Sequence, residues 1–295
     1  MLKTINRKHF IDNKFFYGFL ILAFLLRVIG INYGYPYIFN IDEPAIVRSA
    51  LGLRYNSEIG HFDWPHFTFY FNFVFYFLFI KLRGLVQIIG ARGILENIFP
   101  ILWNDPFVFY FITRFLSALF GALTIIPIYL MGKEMFSRRV GLISAALFSV
   151  IPYHVYISHV GVPDPLLLFF VTWAIYFSYR FSKSLRYRDI ILAAIMFGIA
   201  SGIKYNAIIL SIILLLFVFY QLKVSNKINI KVLKDLFVKL IIFGFISLFT
   251  LLLTTSEIIT NWDIFWSYKY GRGFLWQLKL NSGPLGLNEY PQALM

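Results

Sequence analysis

Seven runs of apolar residues, each close to the length of a helix that crosses a bilayer, decide what this chain can fold into. A bilayer core needs roughly 20 apolar residues in helix, because every backbone N–H and C=O within lipid must be satisfied by the chain itself. The runs fall at 15–33, 107–131, 140–158, 165–181, 189–203, 205–221 and 236–258. The expected fold is all-α: a polytopic transmembrane helical bundle of about seven spans, with interfacial helices in its first outer loop. Composition agrees, at 59% hydrophobic, 20% aromatic and 14% charged residues, against about a quarter charged in soluble domains. The 295 residues read as one membrane domain, 1–258, followed by an outer-face C-terminal segment, 259–295.

One further apolar stretch, 66–80, is ambiguous. It is crowded with rings (Phe67, Phe69, Tyr70, Phe71, Phe73, Phe75, Tyr76, Phe77, Phe79) and followed at once by Lys81 and Arg83. Aromatic residues with basic flanks suit the membrane interface. The excess of Lys and Arg on the cytoplasmic side arbitrates. If 66–80 does not cross, then 1–14, 132–139, 182–190 and 222–235 are all cytoplasmic, carrying four, three, three and four basic residues. If it crosses, that asymmetry disappears. The first topology puts a long loop, 34–106, a short connection near 159–164 and the tail from 259 outside, with the N-terminus cytoplasmic. It also accounts for the net charge of +13 as a topology signal, so no nucleic-acid partner is expected.

The first apolar run is long enough to span and lacks a small-residue cleavage site, so it reads as a first helix and not as a removed signal. There is no cysteine, which excludes disulfides, thiolate metal sites and cysteine nucleophiles. Small residues four apart at Ser117/Gly121 and Gly198/Gly202 are expected to let helix backbones approach. A tight hairpin or broken helix is expected near Lys204.

Outer-side polar residues are few, so each is informative. Asp42 and Glu43 stand in Phe39-Asn-Ile-Asp-Glu-Pro-Ala, about nine residues beyond the first span. Adjacent carboxylates at a membrane surface repel each other and shed water, which favours proton acceptance and suits a general base; the plainer reading is a solvated turn before Pro44. Asp164 lies between Pro163 and Pro165, where it could simply begin a helix. Arg114 is inside a span; such an arginine faces a cavity, a partner or a phosphate, or snorkels to the interface. Lys204 could hold a lipid phosphate or merely meet headgroups.

His61, His66, His154 and His159 all fall on or near the outer side, without the spacing of a zinc helix motif. No cofactor is required by the sequence, and a divalent metal held by His and Asp together stays open. No phosphate-cradling glycine loop and no G-x-S-x-G elbow are present, which disfavours nucleotide hydrolysis and serine esterase chemistry.

The order of these features carries a resemblance. The Asp42-Glu43 pair follows the first helix, then Phe62-Asp-Trp-Pro-His-Phe-Thr-Phe-Tyr. Next comes Arg114-Phe-Leu-Ser-Ala-Leu-Phe-Gly-Ala-Leu-Thr, running to Gly132-Lys-Glu-Met-Phe-Ser-Arg-Arg. Pro152-Tyr-His-Val-Tyr-Ile-Ser-His with Asp164 follows, and then Gly198-Ile-Ala-Ser-Gly-Ile-Lys-Tyr-Asn. Over about residues 35–210 this resembles the protein mannosyltransferase-like GT-C glycosyltransferases, a group that includes the aminoarabinose transferases of lipid A.

The resemblance implies a multi-pass enzyme of the plasma membrane or its equivalent. It would move a sugar from a polyprenyl or dolichyl phosphate to an acceptor hydroxyl on a protein, lipid or glycan, on the outer face and with inversion. It makes Asp42 the base and Glu43 its support, and sets Arg114 and Asp164 around the same outer cavity. Lys204 and Arg114 are the cations for the departing phosphate; His66 joins the donor-binding set, although Trp64-Pro65-His66 replaces the usual His-Pro-Pro run. Relatives generally continue further, so the chain is expected to be a shortened member or a partial frame. The competing expectation is a non-catalytic membrane protein, either a lipid-carrier transporter or a truncated paralogue.

Overall fold

The computed structural model describes residues 14–53, 62–100, 103, 105–225, 230–267 and 273–275. His61 and the Asn281–Gly286 segment lie outside the described residues. Among the described residues there is no strand, and the helices are α1 (Lys14–Val28), α2 (Asp42–Gly52), α3 (Phe67–Ile88), α4 (Arg92–Ile98), α5 (Phe107–Leu123), α6 (Ile125–Met135), α7 (Arg138–Val150), α8 (Pro152–His159), α9 (Asp164–Ser184), α10 (Tyr187–Ser201), α11 (Ile212–Ser225), α12 (Ile230–Thr254), α13 (Glu257–Thr260) and α14 (Trp262–Phe265). A 3₁₀ segment, Tyr205–Ser211, joins α10 to α11.

Among the described residues, four helical stretches are long and apolar enough to cross a membrane: Phe67–Ile88, Phe107–Met135, Tyr205–Lys223 and Ile230–Thr254. The α7–α8 pair, bent by 53° at Pro152, makes a fifth if it counts as one broken span. The chain is an integral multi-pass membrane protein, and its α12 presents Phe237, Ile241, Phe245, Leu248, Phe249 and Leu253 outward, as a lipid-facing helix should.

Three of the seven expected spans take another form. The helices α1 and α10 have only 15 residues each, and α9 has 21 but includes Ser178, Arg180 and Ser182. The reason is shelter. Helix α10 packs on α9 and α12 and buries Ala193, Ala194, Phe197 and Ala200, so its neighbours and not its own length complete the apolar layer.

Lipid supplies little hydrophobic drive between helices, so close backbone approach matters. Gly198 bears this out: a Cβ there would lie 2.5 Å from Thr250 Cβ and 2.7 Å from the Ser247 carbonyl, both on α12. A Cβ at Gly202 would overlap Thr254, and one at Gly121 would overlap Ser158 of α8. Ser117 donates to the Val162 carbonyl at 3.0 Å. Both small-residue pairs are contact faces, as their spacing implies. The expected break at Lys204 is also present: α10 stops at Ser201, and Lys204 is extended, with φ −143° and ψ 126°.

A buried cation that the apolar run concealed closes the bend between α7 and α8. Arg27 of α1 is fully buried, donating to the carbonyls of Ala23 and Ser149 at 2.9 and 3.0 Å and of Phe148 at 3.2 Å. Pro152 has no N–H to continue the α7 ladder, and Arg27 satisfies two of the carbonyls this leaves. His154 Nδ1 lies 2.9 Å from the same guanidinium.

The continuous α5–α6 stretch, Phe107–Met135, has 29 residues and would be about 43 Å long, against about 30 Å of hydrocarbon. Towards its α5 end the 160–163 connection meets Ser117 and Thr113. Helix α3 packs along α5: Phe71 meets Phe120, Tyr76 and Phe79 meet Phe109, and Arg83 donates to the Trp103 carbonyl at 2.9 Å. Its length and apolarity are those of a crossing.

Candidate functional site

The site is built on the connection between α1 and α2. Successive turns run through it, with Tyr33 N bonded to Gly30 O and Tyr37 N to Gly34 O. Gly34 has φ +79°, and a Cβ there would lie 2.6 Å from Phe39, so glycine is required for the chain to double back. Tyr35 donates to Asp105 Oδ2 at 2.7 Å, and that bond holds its phenol above the ordinary range. Asn40 then opens α2, its Oδ1 accepting from Asp42 N at 2.9 Å. Both acids stand in the first turn of α2, where orphan N–H groups favour negative charge.

The two neighbours have different environments. Glu43 is buried and forms a bidentate pair with Arg114 of α5: Nε donates to Oε1 at 2.7 Å and Nη2 to Oε2 at 2.8 Å. Gly161 N also donates to Glu43 Oε1 at 2.7 Å. A Cβ at Gly161 would lie 3.2 Å from that oxygen and 2.8 Å from Thr113 Cγ2, so a bare backbone is needed there. Asp42 is half-buried, and among the described residues no hydrogen bond or ion pair engages its carboxylate.

Arg114 meets a partner; it does not snorkel. Its Nη1 donates to the carbonyls of Ile31 at 3.2 Å and Tyr33 at 2.9 Å, and its guanidinium lies 4.3 Å from the Tyr33 ring centre. One cation therefore ties both ends of the α1–α2 connection to α5. Four of its five N–H groups are used within the protein. A buried, bidentate and carbonyl-saturated guanidinium has little left to offer a ligand.

Lys204 Nζ donates to Asp164 Oδ1 at 2.7 Å, with the two side chains 39% and 44% exposed. Asp164 starts α9, three residues after the Gly161 amide that binds Glu43. The acid-bearing turns at 42–43 and 164 are therefore joined at one end of the bundle, and Lys204 is an accessible cation paired with Asp164 there.

His66 sits at the start of α3, fully buried. Its ring stacks on Phe62 at 4.9 Å between centres, its N–H donates to Thr255 Oγ1 at 3.3 Å, and its Nδ1 lies 3.8 Å from Glu257 Oε2. The next amide, Phe67 N, donates to the Gly202 carbonyl at 3.0 Å. His66 thus anchors α3 to the ends of α10 and α12, two residues from Lys204, with no exposed edge for a donor. Among the described residues no group of three or more His, Asp or Glu side chains is placed to hold a metal ion.

Three members of this neighbourhood escaped the sequence reading. Glu257, with Tyr70 donating to it at 3.3 Å, was hidden behind the last apolar run. Thr68 and Asn72 look like ordinary members of an aromatic helix.

Residues 110–249 match the family described as dolichyl-phosphate-mannose-protein mannosyltransferase. That segment contains Arg114, Asp164 and Lys204; Asp42, Glu43 and His66 lie outside it. Among solved structures, the chain is similar to one described as the S. cerevisiae protein O-mannosyltransferase Pmt1-Pmt2 complex bound to the sugar donor. The TM-score is 0.59 and the identity 21%, covering 83% of this chain and 33% of that one. The chain thus spans about a third of the length of the yeast chain. No curated protein matches. The expected likeness to GT-C mannosyltransferases is borne out, in fold and in sequence over residues 110–249.

Proposed function

We propose that the chain is a membrane glycosyltransferase that moves mannose from a polyprenyl or dolichyl phosphate to a hydroxyl at the outer face, with Asp42 as general base. The observation that carries this reading is the division between the two adjacent acids. Glu43 is locked to Arg114 and Gly161, while among the described residues nothing engages the half-exposed Asp42 carboxylate beside it. A rigidly held neighbour and a free carboxylate are what a positioned base requires.

In this reading the acceptor O–H gives its proton to Asp42 as the oxygen forms a bond to the anomeric carbon. The bond from that carbon to the phosphate oxygen breaks, its electron pair stays on the phosphate, and attack from the opposite face inverts the centre. Lys204, oriented by Asp164, meets the charge that develops on the lipid phosphate. Arg114 acts through Glu43 as a positioning residue, and His66 through α3. The long isoprenoid stays in the bilayer, so no nucleotide-binding fold is needed. The acceptor class follows the family description, a protein hydroxyl.

The test is transfer from polyprenyl-phosphate mannose to protein in membranes containing the chain. Asp42→Asn is expected to lower transfer by about 10² to 10⁴-fold, the usual weight of a general base, with unchanged abundance and unfolding temperature. Full transfer by Asp42→Asn would refute the assignment. Movement of the lipid-linked sugar between leaflets with no glycosylated product would identify a carrier instead.

A further inference from the structure

Between α3, α5 and the start of α9 lies a small cavity whose polar atoms the transfer chemistry above leaves unused. It is lined by Thr68, Phe71 and Asn72 of α3, Thr113, Leu116 and Ser117 of α5, and Val162, Pro163 and Leu166. Among the described residues no charged side chain lines it. Two of its polar atoms, Thr68 Oγ1 and Asn72 Oδ1, are buried without a hydrogen-bond partner among the described residues, and both residues are more than nine-tenths buried. A buried polar group left unpaired costs about 1–3 kcal/mol, so two on one small cavity call for an explanation.

Local structure accounts for the direction of both. Hydroxyls in the helix interiors of this chain bond back to the carbonyl four residues earlier, as Thr113 does to Phe109, Thr172 to Leu168 and Ser178 to Ala174. Thr68 is the second residue of α3, so no helical turn precedes it to accept its proton. Asn72 donates its amide to the Thr68 carbonyl at 2.8 Å, which fixes the side chain and leaves its oxygen over the cavity. The other polar groups are occupied: Ser117 on the Val162 carbonyl, and Thr113 with Tyr76.

The cavity also adjoins the reacting region. Thr113 meets Gly161, whose amide holds Glu43, and Pro163 precedes Asp164. We infer that this cavity is a subsite for one hydroxyl of the transferred sugar, an inference that rests on the reading of the chain as a sugar transferase. Asn72 Oδ1 can only accept and Thr68 Oγ1 can also donate, so the pair fits a single O–H that donates to the amide oxygen and accepts from the threonine. The lack of charge excludes the phosphate. The apolar remainder, Phe71, Leu116 and Leu166, admits the tip of a hydroxyl or hydroxymethyl group and rejects a charged substituent.

The experiment is equilibrium binding of polyprenyl-phosphate mannose, and of its 2-, 3-, 4- and 6-deoxy forms, to the purified chain in detergent. The near-isosteric variants Thr68→Val and Asn72→Leu remove the polar atoms, and Thr68→Ser restores the hydroxyl. The native chain is expected to bind one deoxy form at least about tenfold more weakly than the parent, the scale of a buried hydrogen bond to a ligand hydroxyl. Thr68→Val and Asn72→Leu should weaken the parent by a similar factor and bind that deoxy form no worse than the parent, while Thr68→Ser discriminates as the native chain does. Equal binding of all five ligands by the native chain, unchanged discrimination in both apolar variants, or no binding at all overturns the subsite. If discrimination behaves as expected yet no product forms in the transfer assay, the subsite stands and the catalytic reading fails.

Discussion

Replacing Arg114 by methionine separates a structural role from a donor-binding one. Methionine approximates the length of the arginine stem but removes every donor. The change strips Glu43 of both guanidinium hydrogen bonds on a carboxylate with 1% exposure, leaving, among the described residues, the Gly161 amide at 2.7 Å. It also frees the carbonyls of Ile31 and Tyr33. Breaking a buried ion pair from one side typically costs about 3–5 kcal/mol, which is about two to three and a half decades in the folded-to-unfolded ratio. Glu43→Gln is milder, because the amide oxygen can still accept from Arg114 or Gly161, and about 2–3 kcal/mol is expected for the lost charge-assisted bonds. Since each single change already sacrifices the pair, the double variant should cost about 1–3 kcal/mol less than the two singles together. Equilibrium unfolding in detergent, followed by tryptophan fluorescence, measures all three. An Arg114→Met cost below about 1 kcal/mol, or strict additivity, would refute the claim that this cation anchors Glu43.

Two further expectations follow from contacts. Gly198→Ala should destabilise by about 1–3 kcal/mol, because its Cβ would meet Thr250 and the Ser247 carbonyl, whereas Gly244→Ala, with nothing within 4 Å, should be neutral or slightly stabilising; paired unfolding measurements check the contrast. Lys204→Gln should change stability by less than about 1 kcal/mol, since its pair with Asp164 is well exposed, yet raise KM for polyprenyl-phosphate mannose about tenfold through the loss of a charge-assisted contact, which steady-state transfer kinetics would read.

Much of the architecture is legible in run length and in where Lys and Arg cluster, because lipid leaves a backbone few alternatives. Gly198/Gly202 and Ser117/Gly121 were readable for the same reason: in a bilayer, small residues are where helices touch. Arg114 was visible as an oddity, but its partner was not. Pairing it with Glu43, 71 positions earlier, requires knowing that α2 folds back over α5, and apolar patterning does not encode that. Arg27 was hidden by the opposite error, since a lone cation within an otherwise apolar run reads as noise until Pro152 leaves carbonyls for it to satisfy. Thr68 and Asn72 could not be singled out at all. Their importance comes from the absence of a preceding turn and from a cavity formed by three separate segments. The short α1 and α10 show the converse limit, where neighbours and not the segment's own hydropathy decide how much apolar length is needed.

The proposal depends on Asp42 and Asp164 emerging on the same, outer side of the membrane. The chain contains no cysteine, so single cysteines can be introduced without background and probed with a membrane-impermeant maleimide in sealed vesicles of known orientation. Ile41→Cys, at a position 88% exposed beside Asp42, and Asn206→Cys, exposed beside Lys204, are predicted to label from the outer side. Phe136→Cys, in the α6–α7 connection, and Tyr187→Cys, at the start of α10, both at the other end, are predicted to label only from the cytoplasmic side. Labelling of positions 41 and 206 from opposite sides would contradict the account, because the base and the phosphate-facing cation would then belong to different compartments.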